Sequence, residues 1–324
     1  MSGIGIVGVG HAVPELIRRN DDPLFSGEQV ALARELFVGF RERRVLAPGE
    51  RVEDLGTRAA RAALADAALE AGQIDRLYGA VSPSEHALPS GLFAIHEALG
   101  LARETRVIPI QSEFTNFVDA LGAAVDAVRA GRAERALVVV ATGWSRVVDY
   151  ADAGAAGIGD GAGAVVVSRG PRLEFIDDVG ETHAMWRQAM TVQMRVARRS
   201  TPGAPEGSRP TFVFGEEGAV AFRELATSVP ERLVRRLCER NKLAPADLAL
   251  IGHQPSGALL EAWRRTLAVA EVPSVLEDLG NSTIATAVIT LALHERSLRS
   301  RHIVLLGLGL GQNFSAALLR RTDA

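Results

Sequence analysis

Short apolar runs rich in Val, Ile and Leu alternate along the chain with longer segments whose apolar residues recur at helical spacing. The runs predict five buried strands: Ile4–Val9, Leu137–Val140, Ala164–Val167, Leu248–Ile251 and Ile303–Leu306. The longer segments predict four helices: Val52–Ala71, Phe117–Ala130, Ala221–Asn241 and Ser256–Val269. Buried strands that alternate with amphipathic helices are typical of an α/β fold in which helices cover a sheet.

One segment departs from this alternation. Arg199–Thr211 contains three prolines and two glycines. Because both residue types interrupt regular structure, the segment is predicted to be a surface loop.

The two parts of the chain carry a faint internal repeat. The stretch from Gln73 that leads to Pro83 resembles a later stretch that leads to Pro255, 172 positions on. The apolar run after Arg135 resembles the run after Arg301, 166 positions on. Two similar offsets in the same order predict two related α/β halves, 1–170 and 171–324.

Composition excludes several classes of protein. The 324 residues carry 36 Lys and Arg against 39 Asp and Glu, a net charge of −3, which argues against binding to nucleic acid or an anionic membrane through bulk charge. The single cysteine, Cys238, excludes an internal disulfide and cysteine-rich zinc sites. No basic leader precedes the apolar start, and the longest apolar runs are far shorter than a membrane span, so a soluble, cytoplasmic protein is expected.

Three polar or glycine-rich segments are candidates for chemistry. His253 lies where a predicted strand passes into a helix, a position that often faces a crevice, although a structural histidine would also fit there. Asn281 opens another apolar helix, where it is equally suited to be an N-cap. The turn at Gly309 and Gly311 has backbone N–H groups that can face an oxyanion. The early Gly5–Gly10 run is followed by Pro14, which disfavours a nucleotide-binding turn.

These segments, taken in order, resemble the β-ketoacyl-acyl-carrier-protein synthase III family of the thiolase superfamily. The resemblance spans nearly the whole chain and rests on Gly39–Arg44, Gly159–Ala164, His253–Ser256, Gly280–Ser282 and the glycine-rich turn near the C-terminus. It implies a thiolase-like αβαβα layered fold built from two pseudo-symmetric halves. It also implies that the protein is a homodimer.

The family's chemistry uses a Cys–His–Asn triad. The resemblance assigns the histidine to His253 and the asparagine to Asn281, which would stabilise negative charge on a thioester or enolate as it develops. Gly309 or Gly311 matches the glycine turn that supports the oxyanion. No metal and no resident cofactor are implied, because the acyl thioester on a phosphopantetheine arm is a substrate.

The family's nucleophile is not matched. The family pattern is roughly Ala-Ala-Cys-Ser/Thr-Gly-Phe, and alignment on Phe117 puts Phe114 in the place of the cysteine. A register shifted by one residue puts Glu113 there instead. Cys238 lies in a predicted helix far along the chain and is expected to be an inert helix residue.

Three chemical interpretations remain open. Ser112, Glu113 or Thr115 acts from a displaced position, although the two hydroxyl residues are equally suited to cap a helix. Alternatively, His253 deprotonates an acceptor that attacks the thioester directly. Thirdly, the pocket is inactive and the chain is a docking subunit of a larger synthase.

The expected acyl donor also differs from the family's usual one. Ala33 and Phe37 stand where the family usually clamps coenzyme A with a Trp and an Arg, which favours an acyl carrier protein as partner. Exposed arginines at 41, 43 and 44 are expected either to dock that acidic partner or to form an ordinary solvated face. The predicted function is therefore acyl transfer, in polyketide-type specialised biosynthesis, from a carrier-protein thioester to a small acceptor.

Overall fold

The computed structural model describes residues 3–25, 39–150, 155–196 and 208–322, and these contain thirteen strands and seven α-helices. The strands are β1 Ile4–Ala12, β2 Ile17–Arg19, β3 Glu42–Arg44, β4 Arg76–Ser82, β5 Arg106–Pro109, β6 Ala136–Thr142, β7 Gly161–Arg169, β8 Leu173–Thr182, β9 Met190–Val196, β10 Ser208–Phe214, β11 Leu248–Gly252, β12 His302–Gly309 and β13 Asn313–Arg321. The helices are α1 Val52–Asp66, α2 Leu92–Leu99, α3 Asn116–Arg129, α4 Glu216–Asn241, α5 Gly257–Leu267, α6 Leu276–Leu279 and α7 Thr286–His294.

Nine strands form one mixed sheet in the order β11-β12-β13-β8-β1-β7-β6-β4-β5. The first-half strands β1, β7, β6 and β4 have the same spatial order as the second-half strands β8, β13, β12 and β11, counted outward from the junction of β1 and β8. At that junction the strands pair only through Gly5 with Glu174 and Ile6 with Leu173. The sheet therefore consists of two similar parts, as expected for pseudo-symmetric halves. The exact boundary at residue 170 stays a prediction.

The two parts of the sheet enclose a pair of helices. α3 contacts β4, β6 and β7 of the first half as well as β12 and β13 of the second, and α7 contacts β1 and β7 as well as β11 and β12. α1 packs on the outer face of β1, β6 and β7, while α4 packs on β8, β12 and β13 and also contacts α5. This gives the five layers of a thiolase-like αβαβα fold.

The central strands form because their sequences are apolar throughout, as buried strands require. All seven residues of β6 are buried, and β7 is buried over its first seven. Since β6 is sandwiched between α1 and α3, both of its faces contact helices. This packing holds the carboxyl ends of the strands at fixed positions.

The predicted element boundaries are corrected in several places. The helix predicted over Val52–Ala71 ends at Asp66, because Ala68 takes a left-handed conformation with φ of 53°. Within the segment Arg199–Thr211, residues 208–211 were predicted to be in a loop but belong to strand β10, which pairs with β9 as a separate two-stranded sheet. Residues 199–207 lie outside the described part of the chain.

Candidate functional site

The candidate site lies at the carboxyl ends of β11 and β12 and at the start of α3. His253 follows β11 directly, and its backbone N–H donates to the carbonyl of Leu306 in β12 at 3.0 Å. Gly309 is the last residue of β12, and the turn 112–115 leads into α3. Since α3 lies between the two parts of the sheet, this turn is held against the second half of the molecule.

His253 is buried, with 7% of its surface exposed. Its Nδ1 lies 3.2 Å from the backbone carbonyl oxygen of Thr283. A carbonyl oxygen only accepts hydrogen bonds, so Nδ1 carries the proton and Nε2 of the neutral ring is left with a lone pair. Burial lowers the pKa of His253 to about 4, so the ring is neutral at pH 7.

Asn281 lies on a short backbone ladder formed with the 157–159 segment. Its N–H donates to the carbonyl of Gly157 at 2.7 Å, and its own carbonyl accepts from the N–H of Gly159 at 3.1 Å. The side-chain Oδ1 accepts from the backbone N–H of Thr283, two residues on, at 2.9 Å, which is a local side-chain-to-backbone turn. Thr283 therefore contacts both His253 and Asn281 through its backbone. Asn281 is not a helix N-cap, because Ser282 and Ala285 occupy those positions before the 283–285 turn and α7.

Phe114 occupies a strained position in the turn before α3. Its φ is 74°, in the left-handed region that residues other than glycine, Asn and Asp seldom adopt. Its ring stacks on the imidazole of His253, with centroids 5.1 Å apart and planes 8° from parallel. In β10, the ring of Phe212 lies 6.0 Å from the ring of Phe114. Three rings are thus in contact in series at the site.

The end of β12 passes very close to this turn. A Cβ added to Gly309 would lie 2.7 Å from the carbonyl oxygen of Glu113, so only a glycine fits without displacement. The N–H of Leu310 donates to that same carbonyl at 3.1 Å. Gly311 has a φ of 74° and nothing within 4 Å of a Cβ added there. At Gly311 the backbone conformation favours glycine, whereas at Gly309 the close approach of the 112–115 turn requires glycine.

The hydroxyl and carboxyl groups of the turn point to different partners. Ser112 Oγ is buried and, among the described residues, has no hydrogen-bond partner. Thr115 Oγ1 lies 2.9 Å from the carbonyl of Ser112 and 2.7 Å from Asp119 Oδ2, and it accepts from Asn313 at 3.1 Å. Neither hydroxyl is hydrogen-bonded to His253 in the described structure.

Glu113 has its carboxyl group beside the end of β4. Its Oε1 accepts from the hydroxyl of Ser82 at 2.5 Å. Burial raises the pKa of Glu113, against the opposing effect of that hydrogen bond, because a buried carboxylate loses its hydration. The side chain is therefore held toward the first half of the sheet.

Cys238 is in α4, in the outer helical layer. It is buried, and it belongs to the hydrophobic cluster that includes Leu237 and Leu233. Burial raises the pKa of its thiol, which reduces the fraction present as the reactive thiolate. Within the described ranges, no cluster of three metal-ligating side chains occurs, and no helix is long and apolar enough to span a membrane.

The predicted basic face is corrected by the structure. Arg43 is almost fully buried: its guanidinium donates to the carbonyls of Arg18 and Ala156 and lies over the rings of Phe25 and Phe40. A planar guanidinium is suited to such stacking, which charge counting along the sequence does not reveal.

The other residues of that face differ from one another. Arg41 is exposed and paired with Glu277 and Asp278, whereas Arg44 is half-buried. Ala33 and Phe37, which bear on the choice of donor, lie outside the described residues.

Sequence reasoning missed three contributors to the site: Thr142, Thr283 and Phe212. Thr142, at the end of β6, has its Oγ1 2.7 Å from Oγ1 of Thr283. Phe212 is in β10, whose first four residues fall within the segment predicted to be a loop. The sequence offered a weak indication of Thr283, because it closely follows Asn281. Its contacts to His253 and Asn281 use backbone atoms, which every residue has, so the residue type alone does not reveal this role.

Comparison with known proteins relates the chain to the 3-oxoacyl-[acyl-carrier-protein] synthases III. The profile of the 3-oxoacyl-[acyl-carrier-protein] synthase III family matches residues 110–182. The chain is 31% identical over 325 residues to β-ketoacyl-[acyl-carrier-protein] synthase III of Thiobacillus denitrificans, covering 97% of this chain and 98% of that one. A Streptomyces avermitilis protein named β-ketoacyl-[acyl-carrier-protein] synthase III 2 is also 31% identical, with 98% of each chain covered.

Solved structures agree with this relationship. The 3-oxoacyl-(acyl carrier protein) synthase III of Pseudomonas aeruginosa PAO1 superposes with a TM-score of 0.84 at 27% identity, covering 99% of each chain. The priming β-ketosynthase of the R1128 polyketide pathway superposes with a TM-score of 0.85 at 25% identity, covering 99% of this chain and 97% of that one. The chain belongs to the β-ketoacyl-acyl-carrier-protein synthase III family of the thiolase superfamily.

Proposed function

We propose that this protein is a divergent synthase III that transfers an acyl group from a carrier-protein thioester to a small acceptor without a cysteine nucleophile. The observation that carries the proposal is the stack of Phe114 on His253, together with the burial of the sole cysteine, Cys238, in α4. A benzyl side chain cannot attack a thioester, and Cys238 belongs to the outer hydrophobic core of the second half. The relatives described above are named β-ketoacyl- or 3-oxoacyl-[acyl-carrier-protein] synthase III, which supports a carrier-borne donor.

His253 is the general base in this proposal. Its Nδ1 proton is engaged by the carbonyl of Thr283, so Nε2 is the nitrogen that can accept a proton. The acceptor's O–H or N–H proton moves to Nε2 as the acceptor atom bonds to the thioester carbon. The C–S bond then breaks, and the departing phosphopantetheine sulfur takes up the proton. No covalent acyl-enzyme forms.

The oxyanion formed in this step needs hydrogen-bond donors. Asn281 accepts from Thr283 through Oδ1, which leaves its Nδ2 group as the donor end of the amide. The turn that contains Gly309 and Gly311 has further backbone N–H groups beside the 112–115 segment. We assign to Asn281 and this turn the stabilisation of the developing charge.

Direct transfer is favoured over an acyl-enzyme on the turn's own side chains. The hydroxyl of Thr115 already contacts Ser112, Asp119 and Asn313, and Ser112 Oγ has no hydrogen-bond partner in the described part of the chain that would activate it. The carboxyl group of Glu113 is bonded to Ser82 at the end of β4, and burial raises its pKa, which disfavours the carboxylate form that a nucleophile needs. These three residues are therefore secondary candidates.

A non-catalytic docking subunit is the second candidate function. The observation that favours it is that Phe114 covers one face of the His253 ring and is itself covered by Phe212. Such packing fills space that a thioester would need. In this alternative, His253 is a buried structural histidine.

Incubation with a panel of acyl carrier proteins and acceptors, followed by mass spectrometry of products and intact protein, separates these functions. Direct transfer predicts a product, no mass increase on the protein, and loss of the product with His253→Ala. A stoichiometric acyl adduct would instead point to Ser112 or Thr115, and Ser112→Ala and Thr115→Val would identify which. If wild type and His253→Ala form equally little product across the panel, the enzyme proposal fails and the docking subunit is favoured.

A further inference from the structure

One buried hydroxyl pair joins the two halves of the molecule behind the site. Thr142 Oγ1, at the end of β6 in the first half, is 2.7 Å from Thr283 Oγ1 in the second half. Thr142 is fully buried and Thr283 is 4% exposed. Each hydroxyl would lose a hydrogen-bond partner inside the protein if the other were removed, and a buried unpaired hydroxyl is costly.

Thr283 is the residue on which His253 and Asn281 converge. Its carbonyl accepts from Nδ1 of His253 at 3.2 Å, and its N–H donates to Oδ1 of Asn281 at 2.9 Å. The orientation of the His253 and Asn281 side chains therefore depends on the orientation of the two peptide groups on either side of Thr283.

That orientation is not one the backbone prefers. Thr283 has a φ of 39°, which is unfavourable for a β-branched residue. Such a conformation persists only where surrounding contacts stabilise it. Among the described residues, the contacts that hold it there include the bond from the N–H of Thr286 to the Thr283 carbonyl and the hydroxyl bond to Thr142. The hydroxyl bond ties Thr283 to β6, which is buried between α1 and α3.

We propose that Thr142 and Thr283 are a positioning pair: their hydroxyl–hydroxyl bond fixes the backbone of Thr283 and thereby the Nδ1–H tautomer of His253 and the direction of the Asn281 amide. The inference rests on the proposed function of His253 and Asn281. Neither threonine touches substrate. They act through the two residues that do.

Kinetics of Thr→Val variants test the pair, because valine keeps the shape and removes the hydroxyl. Thr142→Val is expected to lower kcat about tenfold, since sub-ångström misplacement of reacting groups has effects of this order, with KM changed less than about twofold. Thr142→Ser should restore most of kcat. The double variant Thr142→Val/Thr283→Val should lose no more than either single variant, because both substitutions remove the same bond.

Thr105→Val is the matched control. Thr105 is equally buried, and its hydroxyl donates to the carbonyl of Ile74 at 2.6 Å, beside the amino end of β5. Its substitution should leave kcat unchanged. Wild-type kcat in Thr142→Val, or losses that multiply in the double variant, would overturn the proposal.

Nitrogen-15 NMR of the histidine rings gives a readout that does not depend on turnover. The His253 signals are assigned as those that disappear from the spectrum of His253→Gln. At pH 7, the wild-type His253 signals should show a protonated Nδ1 and an unprotonated Nε2. Thr142→Val should move these signals toward a mixture of tautomers, and Thr105→Val should not. If His253→Ala proves as active as wild type, the proposed function fails, and this spectrum alone then decides whether the threonine pair positions His253. An unchanged tautomer in Thr142→Val would refute that role.

Discussion

Substitution of Gly309 by alanine tests how strictly the end of β12 and the turn before α3 must approach each other. The added Cβ would be 2.7 Å from the carbonyl oxygen of Glu113, 3.0 Å from that of Ser112 and 3.0 Å from Cγ2 of Thr115. Ordinary contact begins near 3.4 Å. The strand and the turn must therefore separate by about 0.7 Å, and all three contacts lie on one segment, so no single flexible side chain can make room.

Two effects are expected from this separation. Overpacking of this kind lowers the free energy of unfolding by about 1–3 kcal/mol. The shift also weakens the bond from Leu310 N–H to the Glu113 carbonyl, now 3.1 Å, and moves Phe114 relative to His253. If the proposed transfer occurs here, kcat should fall about tenfold, because a misplacement of 1 Å is associated with losses of about a hundredfold.

Gly122→Ala is the control, since Gly122 is inside α3 and has nothing within 4 Å of an added Cβ. It should raise the free energy of unfolding by about 0.5–1 kcal/mol, as alanine does in a helix, and leave transfer unchanged. Urea unfolding followed by circular dichroism measures stability, and product formation from an acyl carrier protein measures transfer. Equal urea midpoints for Gly309→Ala and wild type would refute the argument from close approach.

Three further predictions concern charge and nucleophilicity. Because the pKa of His253 is about 4, the acid limb of the kcat/KM profile should lie near pH 4 and not at the ordinary 6.5. The free energy of unfolding, compared with that of His253→Phe, should also fall as the pH drops from 6.5 toward 4, because only the unfolded chain takes up a proton on this histidine in that range. Phe114→Cys places a thiol in the turn before α3, in place of the ring that stacks on His253. Intact-mass spectra should then show one acyl group added from an acyl carrier protein, and an unmodified protein would contradict the placement of the turn. Arg43→Lys should lower the free energy of unfolding by about 2 kcal/mol, because stacking and hydrogen bonds are lost. Arg41→Ala, at an exposed ion pair, should change the free energy of unfolding by less than about 1 kcal/mol. Equal urea midpoints for the two variants would refute the distinction.

The layers of the fold could be predicted because they depend on patterns that the sequence carries directly. The run that forms β6 is apolar at every position, and the repeat around Pro83 and Pro255 corresponds to strands β4 and β11 in equivalent places of the sheet. Helix ends were less predictable, because Ala68 adopts a left-handed conformation that nothing in its residue type requires. The β9–β10 pairing was missed since prolines and glycines dominate the adjoining segment.

Side-chain environments were the least predictable part of the site. Arg41 and Arg43 are two residues apart, and the sequence gives no reason to treat them differently. Arg43 is the middle residue of β3 and lies between Phe25 and Phe40, whereas Arg41 precedes the strand and pairs on the surface with Glu277 from a distant segment. Both outcomes depend on residues that come together only when the chain folds. Charge patterns alone therefore overestimated the basic surface available to a carrier protein.

The turn before α3 explains how the chemistry of this scaffold can change while its geometry persists. The position of residue 114 is set by backbone contacts: Leu310 N–H bonds the carbonyl of Glu113, the Thr115 hydroxyl contacts the carbonyl of Ser112, and Gly309 permits the close approach of β12. None of these contacts involves the side chain of Phe114, although its φ of 74° carries a strain of about 1–3 kcal/mol. Whatever side chain stands there is directed at His253. In the proposed function, a ring at this position leaves the base and the oxyanion donors in place and removes only the covalent step, so the acceptor itself must supply the nucleophile.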